Sequence, residues 1–276
     1  MNAKESLPGT APVRLSKLMG SFRYALLFFL FYMLCGIFSL GAWELTRTIN
    51  KQKISDDVFL WECRVDDGTG VEVTVTGVEF SEKTHTLQVA DFAPPVKKRL
   101  ASIADSAGAL AGCNASYFHS DYKPLGLVAA NGKVINKQEN SRLLSGVIAI
   151  YRDRIEIVRA KAFQSSKELR AAVQAGPWLV ERGESVTGLE ALKRARRTVF
   201  ARGSNGKCYM LATSPITLTS VSDLLASGVA IPDGKITSAL NLDGGSSTAL
   251  WARTSPAVSI PEFGHVRNFL LLFKKK

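Results

Sequence analysis

Asp243 is preceded by Asn241-Leu242 and followed by Gly244, Gly245, Ser246, Ser247 and Thr248. A carboxyl group, two adjacent glycines and three hydroxyls in so short a run suit work on an anion. Consecutive backbone N–H groups in a glycine turn form a concave cradle for negative charge, and Ser or Thr hydroxyls extend it. The carboxyl group is a candidate nucleophile or general base. The same run also reads as a plain turn between strands, because glycine accepts positive φ and Asp-Gly and Gly-Gly are frequent hairpin dipeptides. The stretch alone leaves both readings open.

Three other polar patches adjoin apolar strand sequence: "NASYFHSDYKPLG" (114–126), "QAGPWLV" (174–180) and "RARRTVFAR" (194–202). Each alone is weak, but four strand ends rich in Asn, Gln, Arg, Asp and Gly suggest one shared site. Several chemistries find no support. His85, His119 and His265 are scattered without metal-ligand spacing. No lysine follows the glycine turn as in a nucleotide-binding loop, and the G-x-S-x-G nucleophile turn is missing. Asp243 with the neighbouring hydroxyls is compatible with a hard divalent cation, though no motif requires one; the metal assignment stays unknown.

In chain order the segments are N-A-x-x-F from Asn114, P-L-G-L from Pro124, Q-A-G-P-x-L-V from Gln174, R-R-T from Arg196, A-L-N-L-D-G-G-S-S-T from Ala239 and V-x-N-F from Val266. This ordered set resembles the phosphodiester glycosidase domain, over roughly residues 60–273. The family includes the enzyme that removes N-acetylglucosamine from mannose phosphate tags of lysosomal hydrolases, and it has many bacterial relatives. Two departures are visible. The family's usual DGGGSS has one glycine fewer here, and Ser116 stands where the first motif usually has glycine.

The resemblance implies a hydrolase that cleaves a sugar-1-phosphodiester, releasing the sugar and leaving a phosphomonoester. It implies Asp243 as the first catalytic acid and Asp121, in the loop after Asn114, as the second, since glycosidases usually use two carboxyl groups. Arg197 would grip the phosphate with its two-pronged guanidinium. Asn114 and Gln174 would bind sugar hydroxyls, with Gly176, Asn241, Gly244, Gly245, Ser246, Ser247 and Thr248 completing the substrate site. No cofactor is required. The alternative is a non-catalytic protein of the same fold that binds phosphoglycan or envelope polymer, a reading the shortened glycine motif favours.

The elements that must position these residues are mostly short strands. "VEVTVTGVEF" and "HTLQVADF" alternate with period two. Asn131-Gly132 and Arg152-Asp153 mark hairpins, and "ALAGCNASYF", "KCYMLATS", "ITSALNLDGG" and "VRNFLLLFKKK" read as further strands. Helices are expected over 97–110, 165–175 and 219–230. The fold class that follows is α+β: mixed β-sheets with a few short helices in a single globular domain.

Residues 24–43 carry no charge and are long enough to span a bilayer. Arg14, Lys17 and Arg23 precede them, which orients the N-terminus to the cytoplasm. A cleaved signal peptide is the competing reading, with Ser39–Ala42 as its cleavage region, but the apolar run is longer than the usual signal core. The expected organisation is a cytoplasmic segment 1–23, a transmembrane anchor 24–43, a linker 44–57 and an extracytoplasmic phosphodiester glycosidase-like domain 58–276. Of the net charge of +11, residues 1–50 contribute +3 and Lys274–Lys276 another +3, leaving +5 on the body. That distribution argues against nucleic acid and for a membrane as partner; a phosphorylated glycan or sugar-1-phosphodiester is the partner that the family resemblance implies. Cys63, Cys113 and Cys208 follow the apolar run, so at most one disulfide forms among them.

Overall fold

The computed structural model describes residues 42–94 and 98–275. The segment 1–23 and all but the last two residues of 24–43 lie outside the described residues. No helix among the described residues is long and apolar enough to cross a membrane.

The chain from Trp43 onward is one compact unit of strands with two short helices. The first strands are β1 (Glu44–Ser55), β2 (Val58–Asp66), β3 (Glu72–Ser81) and β4 (His85–Asp91). Helix α1 (Leu100–Ser106) and β5 (Ala111–Asn114) follow. A run of short strands comes next: β6 (Val128–Ala130), β7 (Lys133–Asn136), β8 (Gly146–Ile150), β9 (Ile155–Arg159) and β10 (Ala171–Ala175). Then come β11 (Trp178–Glu181), β12 (Glu184–Ser185), β13 (Ala195–Gly203), β14 (Lys207–Ile216) and helix α2 (Leu218–Ser227). The chain closes with β15 (Ile236–Asn241), β16 (Leu250–Ala252), β17 (Val258–Ile260) and β18 (Asn268–Lys274).

They form an eight-stranded sheet in the order β1-β2-β3-β14-β13-β15-β11-β12 and two five-stranded sheets, β7-β6-β10-β8-β9 and β17-β16-β5-β18-β4. One core joins all three: Val78 and Phe80 of the large sheet meet Ile148 and Val173 of the second and Cys113 and Leu270 of the third. Helix α2 covers the other face of the large sheet through Val221, Leu224 and Leu225. Thr217 caps its start by accepting from Ser220 N at 3.0 Å, and Gly228, at φ 78°, ends it. Helix α1 covers the third sheet through Leu100 and Ile103.

The hairpins fall where their dipeptides placed them. Asn131 and Gly132 have φ 52° and 74°, the paired left-handed turn between β6 and β7. Strands β8 and β9 pair across the Arg152-Asp153 turn. The helical expectations need correction, and the fold is mostly β. Residues 171–175, expected as the end of a helix, are β10, paired on both edges and buried throughout. The sequence Ala-Ala-Val-Gln-Ala has high helix propensity, but burial on both faces removes the alternation that would mark a strand, and tertiary pairing outweighs propensity. The helix expected over 97–110 is limited to Leu100–Ser106. The expected linker 44–57 is largely β1, an edge strand paired with β2 over most of its length. Its exposure on the sheet edge lets it be polar, so it reads like a linker. Cys63, Cys113 and Cys208 are buried free thiols, each with its pKa raised by burial.

Candidate active site

Antiparallel pairing explains how distant motifs meet. Strands β5 and β15 end at Asn114 and Asn241, while β13 and β18 begin near Arg197 and at Asn268. Val199 pairs with Asn241 and Phe269 with Asn114, so strand starts lie beside strand ends. The polar patches therefore occupy one end of the sheets.

Asn114 is the hub of that end and is fully buried. Its carboxamide oxygen accepts from Thr198 Oγ1 at 2.6 Å and from Ala249 N at 2.9 Å, and its Nδ2 donates to the Asp243 carbonyl at 2.6 Å. Asp243 N donates to Ala115 O at 3.0 Å and Leu242 N to Thr198 O at 2.8 Å. The glycine turn is thus tied on both sides to β5 and β13. Asn268 fixes the next residue of the first motif, accepting from Ser116 N at 2.9 Å.

The Asp243 carboxyl group is largely buried, and desolvation raises its pKa to about 6, against the opposing effects of a hydrogen bond with Ser247 and one with the Gly244 backbone. An acid with a raised pKa, oriented by its neighbours, is a signature of catalytic carboxyl groups. Gly245 has φ 63°, a left-handed conformation that favours glycine, and it faces open space. Residues 245–247 form a single 3₁₀ turn, whose first N–H groups have no acceptor within the turn. Ser246 is exposed, and its carbonyl accepts from Phe263 N at 2.7 Å. Thr248 Oγ1 and Asn241 Oδ1 are buried without a partner among the described residues.

Arg197 is 8% exposed and its side-chain stem lies against this turn, since a methyl group at Gly244 would sit 3.8 Å from Arg197 Cδ. Its Nε donates to Ile216 O at 3.0 Å and its Nη2 to Lys193 O at 2.8 Å. Of the five guanidinium N–H groups, two are thus engaged and three remain for a ligand. Burial lowers the Arg197 pKa, while Tyr117 and Glu190 oppose the shift. Arginine keeps its charge regardless.

Tyr117 is a site residue that residue-type reasoning passed over. Its hydroxyl donates to Gly176 O at 2.7 Å and accepts from Asn241 Nδ2 at 2.8 Å. Burial first, then the Asp243 charge, raises its pKa, and Arg197 pulls the other way, so it lies within electrostatic reach of both. The available signal was its place in the N-A-x-x-F motif, three residues after Asn114.

Two expected sugar ligands have internal roles. Asn114 has its carboxamide engaged as above. Gln174 is fully buried; its oxygen accepts from Leu127 N and Glu139 N, and its nitrogen donates to Glu139 O and Leu144 O. It ties the segments before β6 and after β7 to β10 instead of facing a ligand. Gly176 is required by close approach: an added Cβ would lie 1.9 Å from Leu143 O. No hydrogen bond joins Asp121 to Asp243 among the described residues. Asp121 is exposed, its Oδ1 accepts from Lys123 N at 3.1 Å and its Oδ2 pairs with Lys123 Nζ at 2.9 Å. Those contacts hold its pKa below the usual carboxylate value. Among the described residues no three His, Cys, Asp or Glu side chains gather as a metal site would need.

The fold has solved relatives. The catalytic domain of zebrafish N-acetylglucosamine-1-phosphodiester alpha-N-acetylglucosaminidase, auto-inhibited by its pro-peptide, superposes with a TM-score of 0.59 at 15% identity, covering 83% of this chain and 87% of that one. A Synechocystis protein gives 0.55 at 16% identity over 82% of this chain and 64% of its own, and a Burkholderia pseudomallei protein gives 0.57 at 9% identity over 85% and 98%. At such identities the likeness concerns the fold. In sequence, the Escherichia coli K12 protein YigE is 36% identical over 77 aligned residues, 25% of this chain and 30% of that protein. The match thus spans under a third of that relative's length. The sequence profile described as NAGPA, phosphodiester glycosidase, matches residues 107–273, which contain every motif from Asn114 to Phe269. With more than half of its length matched, the chain belongs to the phosphodiester glycosidase family.

Proposed function

We propose that this protein hydrolyses the glycosidic bond of a sugar-1-phosphodiester. The observation that carries the reading is the Asp243 carboxyl group, largely buried with its pKa raised to about 6, on a turn tied to β5 and β13. In the reaction the bond between C1 of the sugar and the phosphate oxygen breaks, a water molecule supplies OH to C1 and its remaining proton to the medium, and a phosphomonoester leaves. Asp243 acts as the nucleophile or as the base that activates water, and both roles need its ionised form. A phosphate leaves at neutral pH with little need for a proton. One carboxyl group then suffices, which agrees with Asp121 lying in an exposed loop. The three remaining N–H groups of Arg197 and the N–H groups of the glycine turn face the charge of the diester. Asn241, whose Oδ1 has no partner among the described residues, would hold the sugar side, and Tyr117 orients it by accepting from its Nδ2.

The test is release of free sugar and methyl phosphate from a panel of methyl sugar-1-phosphates by the full-length protein. Release from at least one supports the reading. Binding of the panel with no release would favour the non-catalytic alternative. We also infer that residues 24–43 anchor the protein, with the N-terminus cytoplasmic and the domain outside. A C-terminal reporter that matures only outside the cytoplasm should then be active, and activity of a cytoplasm-only reporter at that end would overturn the orientation.

A further inference from the structure

We propose that the end of the domain carrying Asp243 rests on a lipid bilayer and that the diester it takes has a lipid as its second ester group. The inference rests on the hydrolase and anchor readings above for its substrate, and on exposed side chains for its surface.

Three loops frame the site, and each presents one large apolar side chain to solvent. Phe263 is 71% exposed, and its backbone N–H donates to the Ser246 carbonyl of the glycine turn. Leu192 is 91% exposed and precedes Lys193, whose carbonyl holds Arg197. Leu143 is 40% exposed, and its carbonyl is the atom that forbids a side chain at Gly176. Apolar residues turned outward at three separate loop tips form no core. Scattered single exposures are ordinary, but convergence on one site mouth marks an interaction surface.

The charges beside these tips select the partner. Arg142, Lys193, Arg194 and Arg196 are next to the three apolar residues in sequence or space, and Arg196 stacks on the Phe263 ring at 4.4 Å. None of the four forms an ion pair among the described residues. Glu262 is buried and accepts from Leu100 N, while Glu190 is exposed and its carboxylate accepts from Leu192 N and Lys193 N inside its own turn, so four cations stand beside one exposed acid. Apolar tips interleaved with cations suit the headgroup region of a bilayer, where the apolar groups enter the acyl boundary and the cations meet phosphates.

The register of the large sheet adds a third observation. Arg197 pairs with Thr213, Thr213 with Val75, and Val75 with Cys63. Strand β1 starts at Glu44 opposite Asp66, beyond Cys63 in the direction away from the β1–β2 hairpin. Strand β1 therefore begins at the end of the sheet where the site lies, and in the sequence it directly follows the uncharged 24–43 run. Two more exposed apolar residues, Leu45 and Val71, lie at this same end. A site mouth held against the membrane meets diesters whose second ester group is embedded there.

The test uses the full-length protein reconstituted in phosphatidylcholine–phosphatidylglycerol vesicles. An environment-sensitive fluorophore is placed at Leu192→Cys and, as a control, at Arg152→Cys on the far end of the sheets. The expected result is a blue shift at position 192 only, relative to lipid-free detergent. Equal spectra at both positions overturn the proposal, as does a shift at 192 that follows protein concentration in the absence of lipid, which would mean that a second copy covers the surface. In kinetics, Leu192→Ser with Phe263→Ser should lower kcat/KM about tenfold on a long-alkyl sugar-1-phosphodiester and within about twofold on the methyl diester, because only the former needs the apolar contact. Equal losses on the two substrates would overturn the lipid assignment. Cleavage of neither diester by the unsubstituted protein would refute the hydrolase reading and the lipid-substrate claim with it, while the fluorophore pair still decides whether this end meets the bilayer.

Discussion

The two ends of the sheets are opposites. At one end, Asn114, Gln174, Asn241 and Asn268 are buried and bonded to one another's strands and loops, and a single carboxyl group, Asp243, has its pKa raised to about 6. At the other, where β18 reaches Lys274, a cleft of about 980 Å³ is lined by Lys83, Arg152, Arg170, Lys274 and Lys275. Those five cations form no ion pairs among the described residues, and the cleft's one acid, Asp153, pairs with Arg154. Volume and charge favour the basic cleft as a ligand site. Oriented, desolvated chemistry favours the Asp243 end, because catalysis depends on groups held in place before the substrate arrives. On the proposed reading, a roomy basic cleft is a poorer guide to the site than a buried network fixing one unusual acid.

The largest expected effect comes from breaking the hub. Asn114→Ala strands the Thr198 hydroxyl, the Ala249 N–H and the Asp243 carbonyl in a buried place, and at about 1–3 kcal/mol for each such group the domain should lose on the order of 4 kcal/mol. Urea unfolding checks this, and a loss below about 1 kcal/mol would mean that the network does not hold the turn. Next is Arg197. Arg197→Lys keeps the charge and loses the planar fork, so kcat/KM should fall about tenfold or more, and Arg197→Gln should cost more still. Unchanged kinetics in both variants would remove Arg197 from the site.

A pH effect sharpens the contrast. The Asp243 carboxyl holds its proton more tightly folded than unfolded, so its contribution to stability is greatest below about pH 4 and declines as pH rises to about 6, by up to about 3 kcal/mol in all. Activity should move the other way, rising through about pH 6 as the carboxylate forms. A rate that falls across that interval would assign Asp243 the role of an acid instead. The smallest effect should come from the basic end. Arg152→Gln with Lys274→Gln should leave turnover of a methyl diester within about twofold, as neither side chain reaches the reacting atoms. A large loss there would move the site.

Much of the site was legible because its motifs mark strand ends. The Asp243 turn, Arg197 and Gly176 fall together as the ordered motifs implied. The roles of Asn114 and Gln174 were not legible: a buried carboxamide bonding backbone and one facing a sugar have the same sequence. The surroundings of Asp121 were not legible either: the fold places it on an exposed loop, paired with Lys123. Tyr117 was hidden among aromatic residues that usually fill cores. In the fold, alternating strands such as β3 and β4 and the Asn131-Gly132 hairpin were readable. Strand β10 was not, because an alanine-rich segment buried on both faces carries no period. Strand β1 was missed for the opposite reason, since an edge strand exposed along its length resembles a polar linker.

The central claim is that the turn after β15 does chemistry and is more than a link between strands, and Asp243→Asn tests it most directly. The amide is nearly isosteric and carries no charge to desolvate, so at pH 7.5 the variant should melt at the same temperature as the unsubstituted protein or higher. It can serve neither as nucleophile nor as base, so turnover should fall about 100-fold or more, within the range of about 10²–10⁴ expected for general-base catalysis. A folded Asp243→Asn protein with full turnover would contradict the claim.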